Sequence, residues 1–210
     1  MSTFRLYKYL SINKPEDWNY RRKLLVDREL YFSDPKTFND PLDCTLLAEE
    51  NDNNDILKYF LKPFSAFCLS MEERDDSLMF SHYGDSHKGF RLTFEVNKDN
   101  TIDESSPLEL GEPVIYLSEL PKFEKSNVHR MPYTKSCSWK YEAEYRILKV
   151  SGKKYIYSPD SLIEISYGYR MNRDFESVIK YWVESGGHKR AKFLRAVPSR
   201  SLICFDYVDA

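Results

Sequence analysis

Gly89-Phe90-Arg91-Leu92-Thr93-Phe94-Glu95-Val96 decides the fold, because Phe90, Leu92, Phe94 and Val96 recur at every second position. An extended chain puts all four on one face, so the stretch predicts a strand packed on a core, opened by Gly89. Working outward, residues 4–10 alternate in the same way, with Lys8 on the face of Phe4, Leu6 and Leu10 and with Tyr7 and Tyr9 opposite. Residues 30–32, 66–70, 114–117, 145–150, 162–167, 192–197 and 202–208 read as further strands, the last two as a hairpin through Pro198-Ser199-Arg200. Helical patterns are fewer: 16–26 after Pro15, 55–61, 77–83 stopped near Gly84, and 172–185. In the last of these Phe175, Val178, Ile179, Trp182 and Val183 form one apolar stripe, ended by Gly186-Gly187. Residues 97–110 are turn-like, and 126–136 read as a mobile excursion. Many strands with few, scattered helices predict an α+β fold, a single domain over residues 1–210. Its sheet is expected to be mixed and mostly antiparallel, whole or split, with a few peripheral helices.

Hydrophobic residues make up 41% and charged residues 30% of the 210, a balance that folds. The 16 Tyr and 13 Phe suit half-buried strands or pockets that stack on flat ligands. A net charge of −2 gives no general attraction to nucleic acid or anionic membranes, so any such contact must be local. The opening residues lack the apolar stretch of a signal peptide, and no run of 18 apolar residues occurs. Cys44, Cys68, Cys137 and Cys204 stand far apart without CxxC spacing. The expectation is a soluble protein of a reducing cytoplasm, with no membrane partner and idle thiols.

Three polar clusters could carry chemistry. The densest is Ser81-His82-Tyr83-Gly84-Asp85-Ser86-His87-Lys88, between a helix and a strand, where loops are well placed for a site. A polar turn whose histidines satisfy backbone groups is the alternative meaning. Zinc is not expected, since His82 and His87 are off-phase for one helix face and no cysteine completes a set; a serine hydrolase lacks its GxSxG elbow. The second cluster is Trp139-Lys140-Tyr141-Glu142-Ala143-Glu144-Tyr145-Arg146. If extended from Glu142, it projects Glu142, Glu144 and Arg146 to one face, either as a surface charge ladder or as carboxylates entering a core. The third is Phe38-Asn39-Asp40-Pro41-Leu42-Asp43, where Asn39 and Asp40 can cap turns and the loop can wall a pocket. Lys8, among apolar neighbours, must snorkel outward or meet an anion. The basic run His188-Lys189-Arg190-Ala191-Lys192 with Arg195 fits a solvated loop or a phosphate grip.

These clusters, with Leu6-Tyr7-Lys8-Tyr9, Tyr31-Phe32-Ser33-Asp34-Pro35 and Phe67-Cys68-Leu69-Ser70, resemble a bacterial family of unknown function, DUF2971, over roughly the first 150 residues. Phe80 stands where the family pattern suggests Trp, and Gly84 where it suggests Ala. The resemblance implies a bacterial cytoplasmic protein from a phage-defence or toxin-like setting. A more distant likeness is to ADP-ribosyltransferases, with Lys8 or a neighbouring tyrosine at the early-strand position, residues 82–88 in the middle and Glu142 or Glu144 on the late strand. The usual Arg or His of the first motif is absent.

That likeness implies cleavage of NAD, as substrate, at its nicotinamide–ribose bond. Glu144 would be the catalytic carboxylate, with Glu142, His82 and His87 beside it and no metal. Tyr7, Tyr9, Asn39, Asp40 and Tyr83 would line a nucleotide pocket, with Lys8, Lys88 or Arg146 on the pyrophosphate and a protein or nucleic acid as acceptor. Two other classes stand beside it: a metal-independent nuclease or phosphodiesterase using His82 and His87 as acid and base, and a non-catalytic module that binds a nucleotide or a partner.

Overall fold

The two alternating stretches meet at the centre of one sheet. The computed structural model describes residues 3–40, 42–43, 64–72, 77–97, 106–119, 128–149 and 152–210. In chain order it contains β1 (Thr3–Leu10), α1 (Pro15–Val26), β2 (Ser65–Ser70), α2 (Ser77–His82), β3 (Phe90–Asn97), β4 (Glu112–Pro113), β5 (Ile115–Leu117) and β6 (Thr134–Ser136). It continues with β7 (Glu144–Lys149), β8 (Leu162–Tyr167), α3 (Asp174–Ser185), β9 (Lys192–Pro198) and β10 (Phe205–Asp209). Eight strands form one sheet in the order β10-β9-β8-β3-β1-β2-β7-β4, and β5 pairs with β6 in a small second sheet. Within the large sheet β8 and β9, bracketing α3, run parallel. The other neighbours are antiparallel, which makes this an α+β fold with a mixed, mostly antiparallel sheet.

β1 and β3 pair along their whole length, from Thr3 opposite Asn97 to Leu10 opposite Phe90. Opposed residues share a face, so Phe4, Leu6 and Leu10 join Phe90, Leu92, Phe94 and Val96 in one apolar layer. α1 and α3 cover it with Leu24, Leu25, Ile179, Trp182 and Val183, and Trp18 meets Phe175 and Trp182 edge-on at 5.8 and 5.7 Å. The other face carries Tyr7 and Tyr9, over which α2 lays Met79 and Phe80. Arg91 lies buried there between the rings of Tyr7 and Tyr207, bonded to Glu164 and Ser166.

Several expectations change. Residues 30–32 make no strand; single isolated bridges flank them, Glu29 with Ile156 and Ser33 with Ala66 of β2. Of the run 114–117, Ile115–Leu117 is a strand and joins β6, whereas Val114 bonds to the Glu144 carbonyl and Glu112–Pro113 before it joins β7. Of the excursion 126–136, Val128–Tyr133 is a 3-10 turn and Thr134–Ser136 is β6. The final strand starts at Phe205, three residues later than expected. The basic run is tied down: the buried His188 ring meets the carbonyls of Leu25 and Pro159, and Arg190 and Arg195 pair with Glu95 and Glu176. The helix expected over 55–61 lies outside the described residues, as does Cys44.

The turn between α2 and β3 holds Asp85, Ser86 and His87 at φ of 50°, 55° and 68°. Three successive left-handed residues are costly for side chains other than glycine. Backbone bonds fix them: Ser86 to Ser81, His87 to Phe80, and Gly89 to Gly84 at 2.7 Å. At Gly89 a Cβ would fall 2.0 Å from the Leu10 carbonyl oxygen. Gly89→Ala should therefore lower stability in urea unfolding by about 3 kcal/mol, by forcing β3 away from the end of β1.

Candidate functional site

The sheet comes close to dividing between β1 and β2. Among the described residues the register of this pair consists of Tyr7 opposite Ser70, whereas β2 and β7 pair from Ser65–Lys149 to Ser70–Glu144. A cavity of about 410 Å³ opens at this seam, walled by Tyr7, Lys8 and Tyr9 on one side and Ala66, Cys68, Leu69 and Ser70 on the other. Thr37, Phe38, Asn39 and Asp43 close one end, while Met79, His82, Tyr83 and Asp85 close another. Lys135, Glu142 and Glu144 complete the lining. Lys8 does not snorkel; its ammonium donates to the Cys68 carbonyl at 2.7 Å, across the strand gap.

Glu142 and Glu144 reach the cavity from different elements. The extended run expected from Glu142 is replaced by a 3-10 turn, Cys137–Glu142, with Ser136 as its N-cap and Ala143 left-handed at φ 41° as its end. Such a residue costs roughly 1–2 kcal/mol, but it turns the chain so that Glu142 looks sideways at Glu144 and is not one step along the same strand face. The Ala143 carbonyl accepts from the Met71 N–H at 2.8 Å, and the Glu144 N–H donates to the Tyr116 hydroxyl at 2.7 Å. Neither carboxylate belongs to a surface ladder: Glu142 is 3% and Glu144 6% exposed.

Arg146, 0% exposed, organises this floor. Its Nη1 and Nη2 donate to both oxygens of Asp43 at 2.8 and 2.6 Å. Nε and Nη2 donate to both oxygens of Glu144 at 2.7 and 2.8 Å, and Nη1 also reaches the Pro132 carbonyl at 2.7 Å. All five guanidinium donors are thus answered. Lys135 stands among the same carboxylates, 2.5 Å from Glu142, 3.2 Å from Glu144 and 3.3 Å from Asp43, with its ammonium 4.9 Å from the Trp139 ring. The Tyr83 hydroxyl donates to the remaining oxygen of Glu142.

This geometry sets the two glutamates apart. Burial disfavours an ionised Glu144, but the Arg146 hydrogen bonds and charge, with Lys135, outweigh it and hold the carboxyl down at about 2. Burial dominates at Glu142, whose carboxyl is raised despite Lys135 and Tyr83. Lys135 is shared among three carboxylates and cannot fully compensate any one. Burial also pushes the Cys68 thiol well up, with Glu144, to which it hydrogen-bonds, acting the same way. It is no nucleophile.

Of the residues singled out from sequence, Tyr7, Lys8, Tyr9, Asn39, His82, Tyr83, Glu142 and Glu144 meet at the cavity. Four do not. The His87 ring lies outside the lining, 3.1 Å from the Ser81 hydroxyl and stacked on Phe80, because its left-handed backbone turns it away. Lys88 is exposed and off the cavity. Asp40 is a turn residue that accepts from the Leu42 N–H at 2.9 Å. Arg146 lies beneath the floor, its donors spent on protein acceptors, so it has none for a pyrophosphate. Asp43 and Lys135 were missed as site residues. Asp43 lay within a cluster already noted, but Lys135 sits in a stretch with no local signal. Among the described residues no group of three or more His, Cys, Asp or Glu could hold a metal ion, and no helix is long and apolar enough to cross a membrane.

Two outcomes are expected. Arg146→Met should lower stability by about 3–5 kcal/mol in urea unfolding, since it leaves Asp43 and Glu144 buried without their counterion. Glu144 binds its proton more weakly folded than unfolded, so its stabilisation is complete above about pH 4.3 and is lost as pH falls through about 2. Glu142, raised, acts in the opposite sense, losing stability as pH rises from the unfolded carboxyl value through its own. Unfolding measured between pH about 4.3 and 2 should show Glu144→Gln losing about 2 kcal/mol less than the parent.

No match to this chain was found among curated proteins or among solved structures. Residues 79–147, running from α2 through most of β7 and containing Tyr83, Lys135, Glu142, Glu144 and Arg146, match the model of the family described as a protein of unknown function, DUF2971.

Proposed function

We propose that the seam cavity binds a nucleotide-type ligand and cleaves the nicotinamide–ribose bond of NAD, as an ADP-ribosyltransferase-like or NAD-hydrolysing enzyme. The observation that supports this is the convergence of Glu142 and Glu144 on one cavity, in surroundings that pull their proton affinities apart. With all groups ionised, Asp43, Glu142 and Glu144 face Lys135 and Arg146, leaving one negative charge in excess.

As the C1′–N bond breaks, its electron pair leaves with nicotinamide, and positive charge develops on the ribose ring. The fixed Glu144 carboxylate and ionised Glu142 stabilise that charge. Water, or an acceptor hydroxyl or amine, then bonds to C1′ and gives its proton to Glu142, which returns the cluster to neutrality. Phe38, half-buried at one end of the cavity, offers a ring to the base or the nicotinamide. The setting for such an activity is the bacterial cytoplasm, as a toxin or phage-defence effector that modifies a protein or nucleic acid or depletes NAD.

The nuclease alternative needs two histidines at one point, and only His82 faces the cavity. The binding-module alternative draws on the fact that both oxygens of each glutamate already hold protein partners.

Purified protein incubated with NAD, with products followed by mass, should release nicotinamide. Glu144→Gln should slow release about 10²- to 10³-fold, as loss of an electrostatic stabiliser does. Glu142→Gln should slow it too and remove the acid limb of the pH–rate profile. Release that persists in Glu144→Gln would overturn the mechanism, and saturable nucleotide binding without turnover would assign a binding module.

A further inference from the structure

We infer that Lys8 and Lys14 form an oxyanion subsite that takes the phosphate or pyrophosphate of the ligand. This deepens the nucleotide reading, on which it rests for the class of ligand, but it does not depend on any bond being cleaved. It follows from the distribution of charge around the cavity. Lys135 is answered by three carboxylates. Lys8 is answered by none among the described residues: its contacts are the Cys68 carbonyl at 2.7 Å and the Phe67 ring face, 4.7 Å from the ammonium. An ammonium has three donors, so two remain for whatever enters the cavity.

The nearby acids are committed elsewhere. Glu144 is bound to Arg146 and Lys135, and Asp85 on the rim accepts from the Asn13 amide. Asp17 pairs with Arg21, whose charge adds to the positive potential at Lys8. Lys14, exposed at the start of α1, lines the same cavity. An enclosed ammonium without a counterion is unfavourable, and an anion that supplies one recovers that loss as charge-assisted hydrogen bonds. Burial, with the Arg21 charge, pushes the Lys8 ammonium below its ordinary range by more than the Glu144 charge offsets, as for a cation without a carboxylate in contact. Two lysines match a phosphate dianion or a pyrophosphate better than a single carboxylate.

The test is titration calorimetry at low salt with inorganic pyrophosphate, ADP and adenosine. The parent protein should bind pyrophosphate and ADP and should bind adenosine far more weakly. Lys8→Met should weaken pyrophosphate binding about 10- to 100-fold, as loss of a charged hydrogen bond does. Lys14→Met, at an exposed position and usable even if Lys8→Met does not fold, should weaken it about two- to fivefold. Lys88→Met, off the cavity, should bind like the parent. Folded parent protein that ignores pyrophosphate, or a folded Lys8→Met that binds it equally well, would overturn the subsite. Loss of NAD cleavage alongside intact pyrophosphate binding would sink only the catalytic proposal; nicotinamide release without pyrophosphate binding would sink only the subsite.

Discussion

The site depends on Arg146, a guanidinium removed from water and repaid by five protein acceptors. Its two bidentate carboxylate pairs join segments far apart in the chain, the loop at Asp43 and the strand at Glu144, and its bond to the Pro132 carbonyl brings in the turn before Lys135. A buried ion pair contributes little net stability compared with well-packed apolar residues, but removing one partner is costly because the other is stranded. The arrangement is therefore better explained as a device for position. It holds Glu144 ionised down to about pH 2 and brings Lys135 within reach of both glutamates.

That fixed floor lies where the sheet is weakest. β1 is fully paired with β3 but barely with β2, and the gap is bridged by Lys8 reaching the Cys68 carbonyl. Strand backbone not consumed in a ladder leaves room for a cavity without breaking the apolar layer on the α1 and α3 side. Asp85, Ser86 and His87 before β3 and Ala143 before β7 are left-handed, as is Arg28 after α1, which is not part of the lining; of these Asp85 lines the cavity and Ala143 separates two residues that do. Strain is tolerated where it aims side chains: the first three turn His87 away while Tyr83 stays at the wall, and Ala143 swings Glu142 to face Glu144.

The strands with clear alternation, 90–97 and 3–10, were legible because one face had to be buried, and the α3 stripe was legible for the same reason. The 81–89 segment was found through its density of polar residues, yet that density did not show which side chains turn inward. His87 and Lys88 point elsewhere because of three backbone angles that residue type does not announce. Glu142 and Glu144 were found from their spacing, but through the wrong geometry, since an alanine in the left-handed region gives no sequence signal. Lys135 was invisible: its significance is created by Asp43, Glu142 and Glu144, which tertiary structure alone assembles. Residues 30–32 failed as a strand because an apolar run of three does not specify a pairing partner; of 114–117, Ile115–Leu117 is a strand, but the run gave no sign that its partner is β6.

The central claim is that one floor of charge gives two neighbouring carboxyls opposite characters. Carbon-13 NMR of side-chain carboxyls, assigned through Glu142→Gln and Glu144→Gln, tests it by following each group against pH. Glu144 should stay ionised down to about pH 2, and Glu142 should titrate above the ordinary glutamate range. Two carboxyls titrating together near about 4.3 would contradict the account, as would a Glu144 that titrates above Glu142.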